Sequence, residues 1–147
     1  MFQSEDVFEH IEYGKIAAIF EEVFRVLRPD GLFRLSIPDY RHPLLRERSI
    51  KNDDGDVLFD PGGGGRFQNG QVVDGGHVWF PIYETVKALF DASRFRDVQF
   101  LHYIDESGQS ILKPIDYALG HIQRTPDNDE RVASPRIAMS IVVDARK

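Results

Sequence analysis

The sequence contains no cysteine, which excludes a disulfide scaffold, a Cys-ligated zinc site, an iron–sulfur site and a thiol nucleophile together. It also lacks any apolar run near the roughly 20 residues that cross a bilayer. Met1 to His10 show neither the basic start nor the apolar stretch of a leader segment. A soluble, cytoplasmic domain without a membrane span is therefore expected. Basic residues are in deficit, with 18 Lys and Arg against 24 Asp and Glu and a formal charge of -6. A chain of that sign has little with which to replace the counterions of a phosphate backbone, so nucleic acid is not an expected partner. What is present is ordinary for one globular domain. The 147 residues are 41% hydrophobic and 29% charged, enough for a core without staples and too apolar for wholesale disorder.

The pattern along the chain is that of a mixed α/β domain. Ile16, Phe20, Val23, Phe24 and Leu27 recur on one face of a 3.6-residue period, which predicts a helix over 13–28. Pro29-Asp30-Gly31 stops it with turn chemistry. Leu32 to Ile37 follow as a strand whose Phe33, Leu35 and Ile37 face is buried, ending at Pro38. Residues 41–75 keep no lasting period and read as a long surface excursion with one helical turn near Leu44–Arg48. Pro81 suits the first turn of a second helix over 81–93, with Ile82, Val86, Leu89 and Phe90 inward. A strand is expected over 96–104, then a second long loop over 105–135. Within that loop a short helix opened by Pro114 covers Ile115 to Ile122. A last strand is expected over 136–144. No internal repeat and no second domain are seen, so 1–147 is taken as a single domain. Its sheet is small and mixed, with three strands, the last antiparallel to 96–104.

Few residues suggest chemistry by spacing alone. Gly62 to Gly65 could let backbone amides close on an anion, but the spacing fits no phosphate loop and Asp56 and Asp60 stand beside it, so a flexible loop is expected. The five histidines form no helical pair with metal-ligand spacing, and no metal site is expected. His102 is read as structural. His77, where a flexible segment re-enters the core, is favoured for contact with a ligand. No G-x-S-x-G elbow occurs. Asp39 and Asp116 show no pairing as a dyad, and Arg41 to Lys51 read as a solvated face.

Together, Glu5-Asp6-Val7-Phe8-Glu9-His10-Ile11, the helix end Arg25-Val26-Leu27-Arg28-Pro29-Asp30-Gly31 and the strand from Leu32 to Pro38 resemble the carboxy-terminal half of class I S-adenosylmethionine-dependent methyltransferases. The match is to their type 11 branch. In that family an E-H-[IL] follows the fourth strand, and R-V-L-[RK]-P-G-G links a helix to the fifth. His77, Tyr83, Leu89 and Ser93-Arg94-Phe95 align with the segment before the sixth strand, and the final strand would be the seventh, antiparallel and inserted beside the sixth. Asp30 stands where the family has glycine, and so does Arg94, at an expected helix C-cap where glycine is preferred.

The resemblance implies a partial Rossmann-like methyltransferase fold and direct methyl transfer from a sulfonium, in which the protein mainly orients donor and acceptor. It implies that Glu9 and His10 border the S-adenosylmethionine pocket, and that Asp39, Tyr40 and His77 line the side of an unknown small-molecule acceptor. A histidine there could accept the acceptor's proton. The glycine-rich first motif and the acids that hold ribose and adenine belong to the first half of that fold and have no counterpart here. The expectation is accordingly an acceptor-side half, inactive and a poor cofactor binder alone. It would meet a complementing N-terminal half or form a homodimer through Phe2, Val7, Phe8 and an unpaired 32–37 edge. The alternative is a non-catalytic dimerisation or partner-binding domain on the same fold.

Overall fold

The structure is a computed structural model that describes residues 1–147. Its frame is one five-stranded mixed sheet in the order β1 (Phe2–Glu5), β2 (Leu32–Pro38), β9 (Ser140–Arg146), β7 (Arg96–Ile104), β8 (Ser110–Leu112). β1 and β2 run parallel; every other pairing is antiparallel. Two helices, α1 (Tyr13–Val26) and α3 (Tyr83–Asp91), pack on one face. No helix is long and apolar enough to cross a membrane.

β2 is buried at all seven positions. Phe33, Leu35 and Ile37 face the helices. There Phe33 meets Phe8, Phe20, Phe90 and Phe95 at ring-centroid distances of 5.2 to 6.1 Å. β9 alternates in the same way: Ile141, Val143 and Ala145 join this core, while Val142 packs on the other face with Leu101 and Ile122. α1 contributes Ile16, Phe20 and Val23, as its periodicity predicts. Asp30 adopts a left-handed φ of 58° in the turn that follows, a conformation that glycine or a short polar residue tolerates. Arg94 is under no such strain. Ser93 Oγ donates to the Phe90 carbonyl, and the Arg94 guanidinium lies 4.3 Å from the Phe24 ring centre.

Several expectations are corrected. The sheet has five strands, not three, because residues 2–5 pair with 32–38 and β8 adds to β7. The edge of 32–37 is thus closed, and Phe8 is buried in the core; only Phe2 and Val7 remain exposed. The 41–75 segment is built rather than irregular. α2 (Pro43–Arg48) takes up the expected helical turn, and two hairpins follow, β3 (Ile50–Lys51) with β4 (Val57–Phe59), and β5 (Arg66–Gln68) with β6 (Gln71–Val73). The helix expected over 115–122 shrinks to one 3-10 turn, Tyr117–Leu119. Buried Arg34 explains this: its guanidinium donates to the Asp116 and Gly120 carbonyls, at 2.9 and 2.8 Å, and to the Asp144 carboxylate. Pro81 precedes α3 instead of opening it, and its carbonyl accepts from the Tyr40 amide at 2.8 Å. The last strand begins at Ser140, since Ile137 and Ala138 donate to Val132 and to Ser110 Oγ.

Candidate functional site

The parallel strands β1 and β2 end side by side, and the chain leaves each end carrying polar residues. After β1 comes the 3-10 turn Phe8–His10; after β2 come Asp39 and Tyr40. The segment 76–81 is stitched between them. Val78 donates its amide to the Glu9 carbonyl at 2.8 Å, and Trp79 Nε1 donates to the Phe8 carbonyl at 2.9 Å. These bonds set His77 between Glu9 and Tyr40.

The glycine run completes the seat. A Cβ on Gly63 would lie 2.6 Å from the His77 ring, one on Gly62 would meet the Arg48 guanidinium, and one on Gly65 the backbone of Val73. The run begins as a 3-10 turn, Pro61–Gly63, and it is no anion cradle: Arg48, His77 and backbone already stand against Gly62, Gly63 and Gly65, and only Gly64 faces open space. Asp60 caps this turn, accepting from the Gly62 amide at 2.8 Å.

A buried chain of side chains runs inward from His77. His77 Nδ1 contacts the Tyr40 hydroxyl, and that hydroxyl donates to Asp60 Oδ2 at 2.7 Å. Arg48 grips the Asp60 carboxylate with two donors at 2.7 and 2.6 Å. Burial works against the charge on Asp60, but Arg48, Tyr40 and the Gly62 amide together hold its carboxyl below the usual range. The Tyr40 hydroxyl is raised by burial and by Asp60. On the outer side of His77, Nε2 stands 3.6 Å from Glu9 Oε1. Glu9 is fully buried, and neither carboxylate oxygen has a hydrogen-bond partner. Burial therefore pushes its carboxyl up to about 8 and, together with the neighbouring His10, pushes the His77 imidazole down to about 4. His10 is exposed, with Nδ1 3.0 Å from the Gly76 carbonyl and its ring edge-on to His77, centroids 4.7 Å apart.

Of the five residues expected at the site, Glu9, His10, Tyr40 and His77 come together. Asp39 does not join them. Its carboxylate accepts from the Ile104 amide at 2.7 Å and from the Arg41 amide at 3.0 Å, tying the end of β2 to β7. Burial outweighs those two bonds and pushes it up to about 6. His102 is structural as expected, its Nε2 3.0 Å from the Lys113 carbonyl. Sequence reasoning missed Asp60 and Arg48. The signal for Asp60 was the Asp-Pro pair, an N-cap before proline at the first position of a turn. Arg48 carried no comparable signal within its basic run. Five surface clefts of about 360 to 460 Å³ lie elsewhere; none is lined by Glu9, His10, Tyr40 or His77. The sequence matches no known family and no curated protein.

Proposed function

We propose that these 147 residues form the acceptor-side half of a class I S-adenosylmethionine-dependent methyltransferase-type domain. One observation carries the reading: the order and direction of the strands. β1 and β2 are parallel neighbours, and the last strand of the chain inserts antiparallel between β2 and β7 instead of adding at an edge. That arrangement is what the resemblance implies for its fourth, fifth, seventh and sixth strands. Glu9, His10 and Tyr40 then stand beyond the carboxyl ends of parallel strands, where α/β sheets place ligands.

The residues present border a cofactor pocket without building one. Gly62, Gly63 and Gly65 of the glycine run are packed against Arg48, His77 and backbone, so the run offers no cradle for the cofactor, and no transfer step is assigned to the chain alone. Calorimetric titration with S-adenosylmethionine tests this. Alone, the chain should bind no tighter than about millimolar, roughly -4 kcal/mol. Mixed with a separately produced first half of a type 11 methyltransferase, it should bind in the micromolar range. Micromolar binding by the chain alone, or none by the mixture, overturns the proposal.

The second reading, a non-catalytic domain that pairs with a partner, is favoured by the edge position of β1. That strand has one neighbour only, and Met1, Phe2 and Val7 beside it are 62%, 36% and 48% exposed. Sedimentation equilibrium separates the two, because this reading requires association without cofactor.

A further inference from the structure

We propose that Glu9, His10 and His77 bind one divalent transition-metal ion of the zinc class. One ligand atom from each residue lies within 4.8 Å of the others, and they come from two chain segments that sequence spacing gives no reason to join. Hydrogen bonding fixes which atoms are free. His10 Nδ1 faces the Gly76 carbonyl, an acceptor, so Nδ1 carries the proton and Nε2 keeps its lone pair. The Tyr40 hydroxyl has one proton, and it donates this to Asp60, whose carboxylate is held by Arg48. Tyr40 must therefore accept from His77 Nδ1–H, which leaves His77 Nε2 as a lone pair on the side of Glu9.

Two imidazole lone pairs and the Glu9 carboxyl are thus gathered with no Lys, Arg or backbone N–H donor on the Glu9 oxygens. Glu9 is fully buried and both its oxygens are unpartnered, so its carboxylate form has no counter-charge there until a cation joins it. A proton fits this gap poorly: 3.6 Å from His77 Nε2 to Glu9 Oε1 is too long for a hydrogen bond. Across a tetrahedral ion with bonds of about 2.0–2.1 Å, donor atoms stand roughly 3.3 Å apart, near the 3.6 Å of this pair. The wider separations in the cluster, up to 4.8 Å, close by movement of the exposed His10 side chain on binding. The surrounding contacts are those that metal-bound histidines use. His10 donates to a backbone carbonyl, and His77 is backed by Tyr40, Asp60 and Arg48. Two nitrogens and one carboxylate suit zinc, iron or nickel better than magnesium or calcium, which take oxygen ligands. Three protein ligands leave a coordination position for water or another oxygen donor. This inference rests on the cluster's own geometry and not on the methyltransferase reading. An ion on His77 Nε2 and a proton accepted there exclude each other.

The test is calorimetric titration of the untagged, chelator-dialysed chain with zinc chloride, with visible absorption on cobalt(II) substitution as an independent readout of geometry. One ion per chain is expected, with micromolar or tighter affinity and cobalt(II) bands of a four- or five-coordinate site. Glu9→Gln, which is near-isosteric and removes the carboxylate ligand, and His10→Ala, at an exposed position, should each retain the fold and lose about 100-fold or more in affinity. Tyr40→Phe should lose about 10- to 100-fold, acting through His77. Exposed His121→Ala is the control and should change nothing. No saturation at one equivalent, or equal affinity in the Glu9→Gln chain, overturns the proposal. Neither outcome involves S-adenosylmethionine, so failure here is distinct from failure of the proposed function.

Discussion

The His77 ring rests on Gly63 so closely that a single Cβ at position 63 would come within 2.6 Å of the imidazole. Glycine is therefore required there by the histidine's position and not by any turn conformation, since Gly63 is not among the residues with positive φ. Gly63→Ala should push the ring away from Tyr40 and destabilise the fold by about 1–3 kcal/mol through overpacking. Chemical denaturation reads the loss, and the His77 ring proton shifts should move with it. An unchanged His77 environment would mean that the neighbours yield instead.

Arg34 is the largest fully buried side chain, on a strand that otherwise buries apolar residues and serine. It is satisfied by the Asp144 carboxylate at 2.7 Å and by two loop carbonyls. Arg34→Met should cost about 3–5 kcal/mol, because Asp144, 17% exposed, loses its counter-charge while the carbonyls lose their donor. The double change Arg34→Met with Asp144→Leu should recover part of that loss, leaving only the carbonyls unsatisfied. Urea melts of the single and double variants provide the comparison, and an equal loss in both would refute the assignment.

The elements that were legible in the sequence are those whose burial is one-sided and local. α1 and the strand 96–104 announce themselves through period and turn residues, and β7 spans Arg96–Ile104 as the pattern predicts. β1 was not legible: four residues, Phe2 to Glu5, make no period, and only the register with Phe33 to Ser36 makes them a strand. The same holds for the 41–75 segment, where Asp60 looks like surface charge until Tyr40 and the glycine turn bring it inside, with Arg48 gripping it from the surface. Glu9, His10 and Tyr40 converge because the ends of parallel strands do so by topology, and His77 joins them through the bonds of Val78 and Trp79 to the Glu9 and Phe8 carbonyls. Asp39 has the same chain position but faces β7, a side-chain direction that sequence spacing does not specify.

His42 gives the chain an acid-sensitive cap. Its Nδ1 accepts from the Leu44 amide at 3.2 Å at the start of α2, its Nε2 is buried without a partner, and burial pushes its imidazole down to about 4. Its folded pKa lies below its unfolded one, so the unfolded chain binds more protons between about pH 6.5 and 4. Stability from this group is full above about 6.5 and falls as the pH drops through that window, by up to about 1.4 kcal/mol per pH unit. His42→Asn keeps a cap acceptor without the titration. Between pH 6.5 and 4 its stability should fall less steeply than that of the native chain; parallel slopes would remove His42 from the acid response.

Phe8 decides whether β1 belongs to the fold or merely lies against it. The residue opens the 3-10 turn three positions past the end of β1, is 3% exposed, and sets its ring 5.7 Å from Phe20 and 6.1 Å from Phe33. Its carbonyl also accepts from Trp79 Nε1. β1 itself is short and gains little from its four pairings with β2, so the anchor for the N-terminal segment is this buried ring. Phe8→Ala should cost about 3–5 kcal/mol by opening a cavity under α1, and the loss should fall unevenly. Amide exchange in β1 and at Asp6, whose amide donates to the Ser36 carbonyl at 3.1 Å, should accelerate more than exchange in β9 at the sheet's centre. With β1 released, the edge of β2 is bare, and the variant should associate at concentrations where the native chain does not. Sedimentation equilibrium and exchange on the same sample check both parts; a uniform rise in exchange across the sheet, with no change in association, would show that β1 and β2 open together.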